Sequence, residues 1–175
     1  MLRSEHTPAL VTVAIETVMG EFTATYSPTG LARLEFPKLS GKKSGAATDA
    51  PAGVRAWHRL TTVALKKVLA GRDAGELPPL DWSGATEFQQ AVWRAMLRIP
   101  AGQTRSYGEV AGGIGRPKAV RAVGGACGAN PIPVLVPCHR VLAAGGKIGG
   151  FSSGLDWKRK LLAAEGDKLL GSSLF

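Results

Sequence analysis

Two side chains suited to nucleophilic chemistry stand next to each other in this chain: Cys138 and His139, in the string Pro137-Cys138-His139-Arg140-Val141. A thiolate is the strongest nucleophile among the side chains, and an imidazole can take its proton. Upstream runs Asn130-Pro131-Ile132-Pro133-Val134-Leu135-Val136, apolar enough to be buried. Its prolines lack an N–H and fix φ, which excludes a central strand. It reads as a rigid, extended segment that presents Cys138 at its end. Neighbours on an extended chain point opposite ways, so Cys138 and His139 need a local turn, or one bridging water, to exchange a proton. A lone cysteine is more often a buried filler than a catalyst, and the pair by itself leaves both readings standing.

The elements that must position this pair can be read in outline. Residues 10–37 form an antiparallel meander. Val11-Thr12-Val13-Ala14-Ile15 and Phe22-Thr23-Ala24-Thr25-Tyr26 alternate, and Leu31-Ala32-Arg33-Leu34-Glu35-Phe36 makes a third strand before Pro37. Met19-Gly20 and Pro28-Thr29-Gly30 are the turns. Residues 38–53 are polar and aperiodic and read as a loop, with Lys42 and Lys43 on it. Residues 52–70 form a helix with Trp57, Leu60, Thr61, Ala64, Leu65 and Val68 on its apolar side and Gly71 behind it. Residues 71–84 link the halves.

The second half is richer in signals. Thr86 and Gln89 make a capping box at the start of a helix striped by Phe88, Val92 and Met96. Ser106 and Glu109 make another, opening a short helix through Ala111 that Gly112-Gly113-Ile114-Gly115 breaks. A second helix restarts at Arg116-Pro117-Lys118 and runs to about Gly128. This is a helix-turn-helix pattern, shared by many core helix pairs. Its second helix carries Arg116, Lys118 and Arg121 near its start and is otherwise slim, with Ala119, Ala122, Gly124, Gly125, Ala126 and Gly128. Residues 142–150 form a Gly-rich loop, and Phe151-Ser152-Ser153-Gly154 leads into a last helix over 155–165, buried through Leu155, Leu161 and Leu162. Glu165 falls in its last turn, where the helix dipole disfavours an anion. A local rule broken at one residue hints at function, although an exposed Glu there costs only a few tenths of a kcal/mol.

The chain has 175 residues, 45% of them hydrophobic, with 22 Lys+Arg against 13 Asp+Glu and a net charge of +9. That balance favours a polyanionic partner, nucleic acid or an acidic membrane surface. No apolar run approaches the ~18–20 residues of a membrane span, and residues 1–11 lack a signal-peptide core. Cys127 and Cys138 are the two cysteines, so no disulfide framework is expected and a reducing, cytoplasmic compartment fits. With His6, His58 and His139 they make no zinc-ligand spacing. No metal or cofactor is expected.

The string Pro137-Cys138-His139-Arg140-Val141, with Asn130 eight positions before Cys138, resembles the active-site stretch of the O6-alkylguanine-DNA alkyltransferases (methylated-DNA–protein-cysteine methyltransferases). The resemblance is strong over residues 86–166 and loose over 10–70. It implies an α/β (α+β) protein with two parts. Residues 1–80 are an N-terminal antiparallel β-meander with a helix. Residues 81–175 are a mostly helical domain with the helix-turn-helix and the Cys138 segment. It also implies DNA repair by direct, single-use transfer of an alkyl group to Cys138 from O6-alkylguanine, and from O4-alkylthymine, in double-stranded DNA with nucleotide flipping. DNA is then bound through the minor groove, by a monomer, with cooperative assembly on DNA left open.

The resemblance assigns roles residue by residue. Cys138 is nucleophile and acceptor, His139 the base acting through a water, and Glu165 the acid that holds the imidazole tautomer. Asn130 pins the backbone between the recognition helix and the Cys138 segment. Tyr107 donates to the departing guanine. Arg121 fills the space of the flipped nucleotide, while Arg116, Lys118, Ala119 and Gly124 lie along the DNA. Val141, through its carbonyl, Lys158, Arg140, Phe151, Ser152 and Ser153 form the substrate pocket. Phe151 stands where many relatives have Tyr and Ser153 where many have Gly, which bears on bulky O6 substituents. Three other classes compete: a cysteine hydrolase using Cys138, His139 and Glu165, a non-enzymatic lesion binder, and a transcription regulator. Cys127 is expected to be a buried, inert thiol.

Overall fold

The computed structural model describes residues 9–38 and 45–166. Strands β1 (Val11–Thr17), β2 (Gly20–Ser27) and β3 (Gly30–Glu35) form an antiparallel meander. Period-2 alternation sets its register: Val13 faces Ala24 and Ile15 faces Phe22 across β1 and β2, and all four are buried. Helix α1 (Ala52–Leu69) covers this face with Val54, His58, Thr61, Leu65 and Val68. Trp57 and Leu60, expected in that stripe, flank it half-buried. His58 Nδ1 lies 3.1 Å from the Tyr26 hydroxyl, which gives both buried polar groups a partner.

The outer edge of β3 is not left open. Leu31 N donates to Pro79 O at 2.8 Å, Asp81 N donates to Leu31 O at 2.8 Å, and Leu34 N donates to Pro131 O at 3.0 Å. The last bond docks the Asn130 segment on the sheet. Beyond the sheet come α2 (Glu87–Met96), α3 (Tyr107–Gly113), α4 (Val120–Gly128) and α5 (Leu155–Ala164). Both expected capping boxes are present, Thr86 with Gln89 and Ser106 with Glu109. One apolar cluster runs from Val13 in the sheet through Val92 and Val123 to Leu161.

Several local expectations are corrected. Residues 130–137 are folded into turns: Ile132 N donates to Asn130 Oδ1 at 3.0 Å and Val136 N to Ile132 O at 3.0 Å. Val134 between them has φ 74°, a left-handed conformation that a β-branched residue adopts only under tertiary constraint. Prolines forbid a strand there, but they suit turns as well as extended chain. Helix α4 begins at Val120. Arg116 to Ala119 instead close a turn, with Ala119 N donating to Arg116 O at 2.8 Å. Pro117 occupies the second turn position, which its fixed φ fits as well as a first helical turn.

Helix α3 extends to Gly113. The segment read as an aperiodic loop contains a bridge from Gly45 to Val13 and a 3₁₀ turn at Ala47–Asp49. Lys42 and Lys43 lie outside the described residues. A short parallel pair, β4 (Arg105–Ser106) and β5 (Val141–Leu142), was not legible in the sequence. Leu155 is 36% exposed, and the inner face of α5 is Lys158, Leu161 and Leu162. No helix of the described residues is long and apolar enough to cross a membrane.

Candidate active site

Pro137 has φ −80° and ψ 67°, an inverse γ-turn, and Cys138 N donates back to Val136 O at 2.8 Å. The chain then enters a single 3₁₀ turn, Cys138–Arg140, with Arg140 N donating to Pro137 O at 3.0 Å. Cys138 and His139 therefore do not alternate as on a strand. Both are buried, at 5% and 0% exposure. Asn130 fixes the whole turn. Its amide nitrogen donates to Val136 O at 2.8 Å while its carbonyl accepts from Ile132 N. Burial pushes the Cys138 thiol pKa up; the Asn130 amide and the Lys158 charge act against that shift.

His139 Nε2 is 2.9 Å from Glu165 Oε1. Glu165 is 26 residues away, at the C-cap of α5, yet its side chain is only 1% exposed. Burial raises its pKa, but hydrogen bonds from His139 and Arg140 outweigh that and hold it at about 2. Glu165 is thus ionised and can only accept. His139 must carry its proton on Nε2, and Nδ1 is left as a lone pair. Nδ1 is buried and has no hydrogen-bond partner. Burial also lowers the His139 pKa, partly offset by Glu165, so the imidazole is neutral.

Arg140 points away from Cys138. Its Nε lies 3.1 Å from both Glu165 carboxylate oxygens, Nη2 lies 2.8 Å from Oε1, and Nη1 donates to Ile99 O at 2.6 Å. Asp73 sits 3.6 Å from the same guanidinium. Gly102 N donates to Glu165 Oε2 at 3.3 Å. The expectation that Arg140 lines a substrate pocket is corrected. Its place in the string suggested a pocket, but the 3₁₀ turn sends it to the far side, where it neutralises Glu165.

A cavity of about 140 Å³ opens on Cys138, lined also by Tyr107, Gly124, Cys127, Gly128, Gly150, Phe151 and Ser152. That is far below the ~300–1,000 Å³ of sites for drug-sized ligands. Lys158 does not line it. The residue is fully buried, and its Nζ donates to Val141 O at 2.7 Å and to Gly150 O at 3.1 Å. It ties the cavity loop to the Cys138 segment. The Val141 carbonyl, expected to be free for substrate, spends one lone pair on that bond. Burial lowers the Lys158 pKa, against the neighbouring thiols. Burial raises that of Tyr107.

Ser153, expected in this pocket, lines a separate groove with Phe36 and Trp157. Cys127 is on the cavity wall. Its Sγ donates to Met96 Sδ at 3.6 Å, and burial raises its pKa to about 12. The helical spacing of Gly124, Cys127 and Gly128 was the signal that could have put it there.

Comparisons with known proteins place the chain among its relatives. A family model described as 6-O-methylguanine DNA methyltransferase, DNA binding domain, matches residues 87–167. A methylated-DNA–protein-cysteine methyltransferase of Methanosarcina acetivorans is 56% identical over 96 residues, 53% of this chain and 62% of that relative. One of Methanosarcina barkeri is 39% identical over 158 residues, covering 89% of this chain and 96% of the relative. The chain belongs to the methylated-DNA–protein-cysteine methyltransferase family. The match to the Methanosarcina acetivorans protein spans less than two thirds of that relative's length. The fold is also that of solved members. The crystal structure of Mycobacterium tuberculosis OGT in complex with DNA superposes with a TM-score of 0.70 at 35% identity, over 91% of this chain and 96% of that one.

In this methylated-DNA–protein-cysteine methyltransferase-family chain, α4 forms one wall of the cavity and presents its other side outward. Arg116, Lys118 and Arg121 are exposed, and none is in an ion pair among the described residues. Ala119 is half-buried at the helix start. A Cβ built on Gly124, Gly125 or Gly128 would meet no heavy atom within 4 Å, so no internal packing demands glycine there. Arg121 and Gly124, assigned to one surface by sequence, share α4 but differ in place: Gly124 lines the cavity and Arg121 does not.

Proposed function

We propose that this protein repairs double-stranded DNA by transferring an alkyl group from O6-alkylguanine to Cys138, once per protein molecule. One observation carries the reading: Cys138 lines a small cavity of about 140 Å³, and the next residue is a neutral imidazole whose Nε2 is held by Glu165 and whose Nδ1 has no hydrogen-bond partner. A cysteine this deep is reached by a base turned out of the duplex, not by one inside it.

The thiol proton passes to His139 Nδ1 through a water. The sulfur lone pair forms the C–S bond as the C–O6 bond breaks in line. Guanine leaves with the bonding pair and takes a proton from the Tyr107 hydroxyl, which His139 resupplies through solvent. Net, one thiol hydrogen moves to guanine and one alkyl group to sulfur. The imidazolium is stabilised by Glu165 as the acid of a triad stabilises its histidine. A thioether offers water no leaving group at neutral pH, so the protein is spent.

Helix α4 enters the minor groove, about 6 Å wide. Its exposed small residues permit close approach, Arg116 and Lys118 meet phosphates, and Arg121 fills the gap left by the flipped nucleotide. The protein works as a monomer and without a cofactor. Intact mass after mixing with a duplex carrying one O6-methylguanine tests this: one methyl on Cys138 is expected, with product reaching a plateau at one per protein. No mass gain, or many turnovers without an added thiol, would reject it in favour of a lesion binder or a hydrolase.

A further inference from the structure

The cavity at Cys138 has a neighbour. A groove of about 490 Å³ is lined by Phe36, Asn130, Ser152, Ser153 and Trp157 among others. The two spaces share Ser152 as a lining residue. Phe151 lines the cavity and Phe36 lines the groove, and their rings meet edge-on, with centroids 5.9 Å apart and planes at 82°. Two aromatic rings in contact, with Ser152, therefore stand between the small cavity and the larger groove.

The partition is anchored from the N-terminal sheet. Phe36 packs on Trp157 at 4.8 Å and on Phe22 at 5.4 Å, and Trp157 meets Phe22 at 5.7 Å. Phe22 is fully buried in β2. On the other side, the backbone next to Phe151 is pinned by Lys158 Nζ on Gly150 O and by Gly154 N on Phe151 O at 3.0 Å. Those bonds hold the loop but not the ring. Among the described residues, the one aromatic ring that meets Phe151 is Phe36.

We propose that the Phe36–Phe151 pair sets the largest O6 substituent this chain accepts. Phe151 is the wall, and Phe36 is the positioning residue that keeps the ring against the cavity. The inference rests on the alkyl-transfer reading and deepens it. Without the Phe36 ring, Phe151 can turn toward the groove and open a way past Ser152, which lines both spaces. A bulky group on O6 would then extend past Cys138 into the groove, while a methyl gains nothing from the extra room.

Single-turnover rates on duplexes carrying O6-methylguanine or O6-benzylguanine read this directly, with melting curves in parallel. Phe36→Ala should raise the benzyl-to-methyl rate ratio about 3- to 10-fold, the range set by losing one aromatic pair contact. Phe36→Leu keeps apolar volume and should raise it less; it decides the matter if Phe36→Ala does not fold. Phe36→Tyr should hold the wild-type ratio. A ratio that stays flat or falls in a folded variant overturns the inference while leaving alkyl transfer intact. Absence of any alkyl group on Cys138 in the wild-type chain would instead overturn the transfer reading, and this inference with it.

Discussion

Glu165 Oε1 meets both His139 Nε2 at 2.9 Å and Arg140 Nη2 at 2.8 Å, so the tautomer of His139 depends on a carboxylate that Arg140 keeps charged. Glu165→Gln keeps the shape but can point an N–H at the imidazole, which then carries its proton on Nδ1 and cannot accept from Cys138. Loss of the analogous acid in a serine protease costs about 10⁴-fold. With a more reactive thiol as nucleophile, single-turnover methyl transfer should fall about 10²- to 10⁴-fold. A rate within a few-fold of wild type would show that the relay plays no part.

The same residue governs acid stability. Glu165 has a folded pKa of about 2 against an ordinary 4.5. A depressed carboxylate contributes stability that is complete above the ordinary value and is lost as pH falls toward the folded one. His139 is lowered from 6.5 by burial. Below 6.5 the unfolded chain binds a proton that the folded chain refuses, so this too destabilises on acidification. Melting temperature should drop first below about pH 6.5 and again between 4.5 and 2. The second step should shrink in Glu165→Gln, and what is left belongs to Asp81, which hydrogen bonds from Ser27 and Ser83 also hold at about 2. A melting temperature flat from pH 7 to 3 would contradict both assignments.

Arg121 is exposed on α4 and does not line the cavity. Arg121→Ala should slow repair in duplex DNA more than reaction with free O6-benzylguanine, because in the proposed mechanism only the duplex requires flipping. Equal slowing on the two substrates would remove it from that role.

Gly71 closes α1 with φ 76°, and a Cβ there would stand 1.9 Å from Ala164 O, next to Glu165. Neither the conformation nor the space admits a side chain. Gly71→Ala should cost at least ~2 kcal/mol, a melting shift of roughly 4–8 °C for a chain of this size. Gly112 in α3 has nothing within 4 Å and no positive φ. Gly112→Ala should stabilise by ~0.5–1 kcal/mol. Melting curves of the two variants check the pair, and a shift of the same sign in both would contradict it.

The sequence by itself determined what depends on neighbours a few residues apart. Alternation in Val13, Ile15, Phe22 and Ala24 predicts the meander and its buried face. Thr86 with Gln89 and Ser106 with Glu109 start their helices correctly, because a capping box is closed within one turn. Pro137-Cys138-His139-Arg140-Val141 with Asn130 is local too, and it carried the family. Tertiary structure decided where side chains point. Three prolines near Cys138 are compatible with extended chain or turns, and only the docking of Pro131 on Leu34 and the Asn130 clamp select turns. A 3₁₀ turn then sends Cys138 to the cavity and Arg140 to Glu165, which no residue pattern encodes. The Phe36–Phe151 contact lies further still from local reading. Two rings far apart in the chain meet only after the sheet, α5 and the cavity loop have packed together, since apolar attraction is non-directional and its partners are chosen by shape.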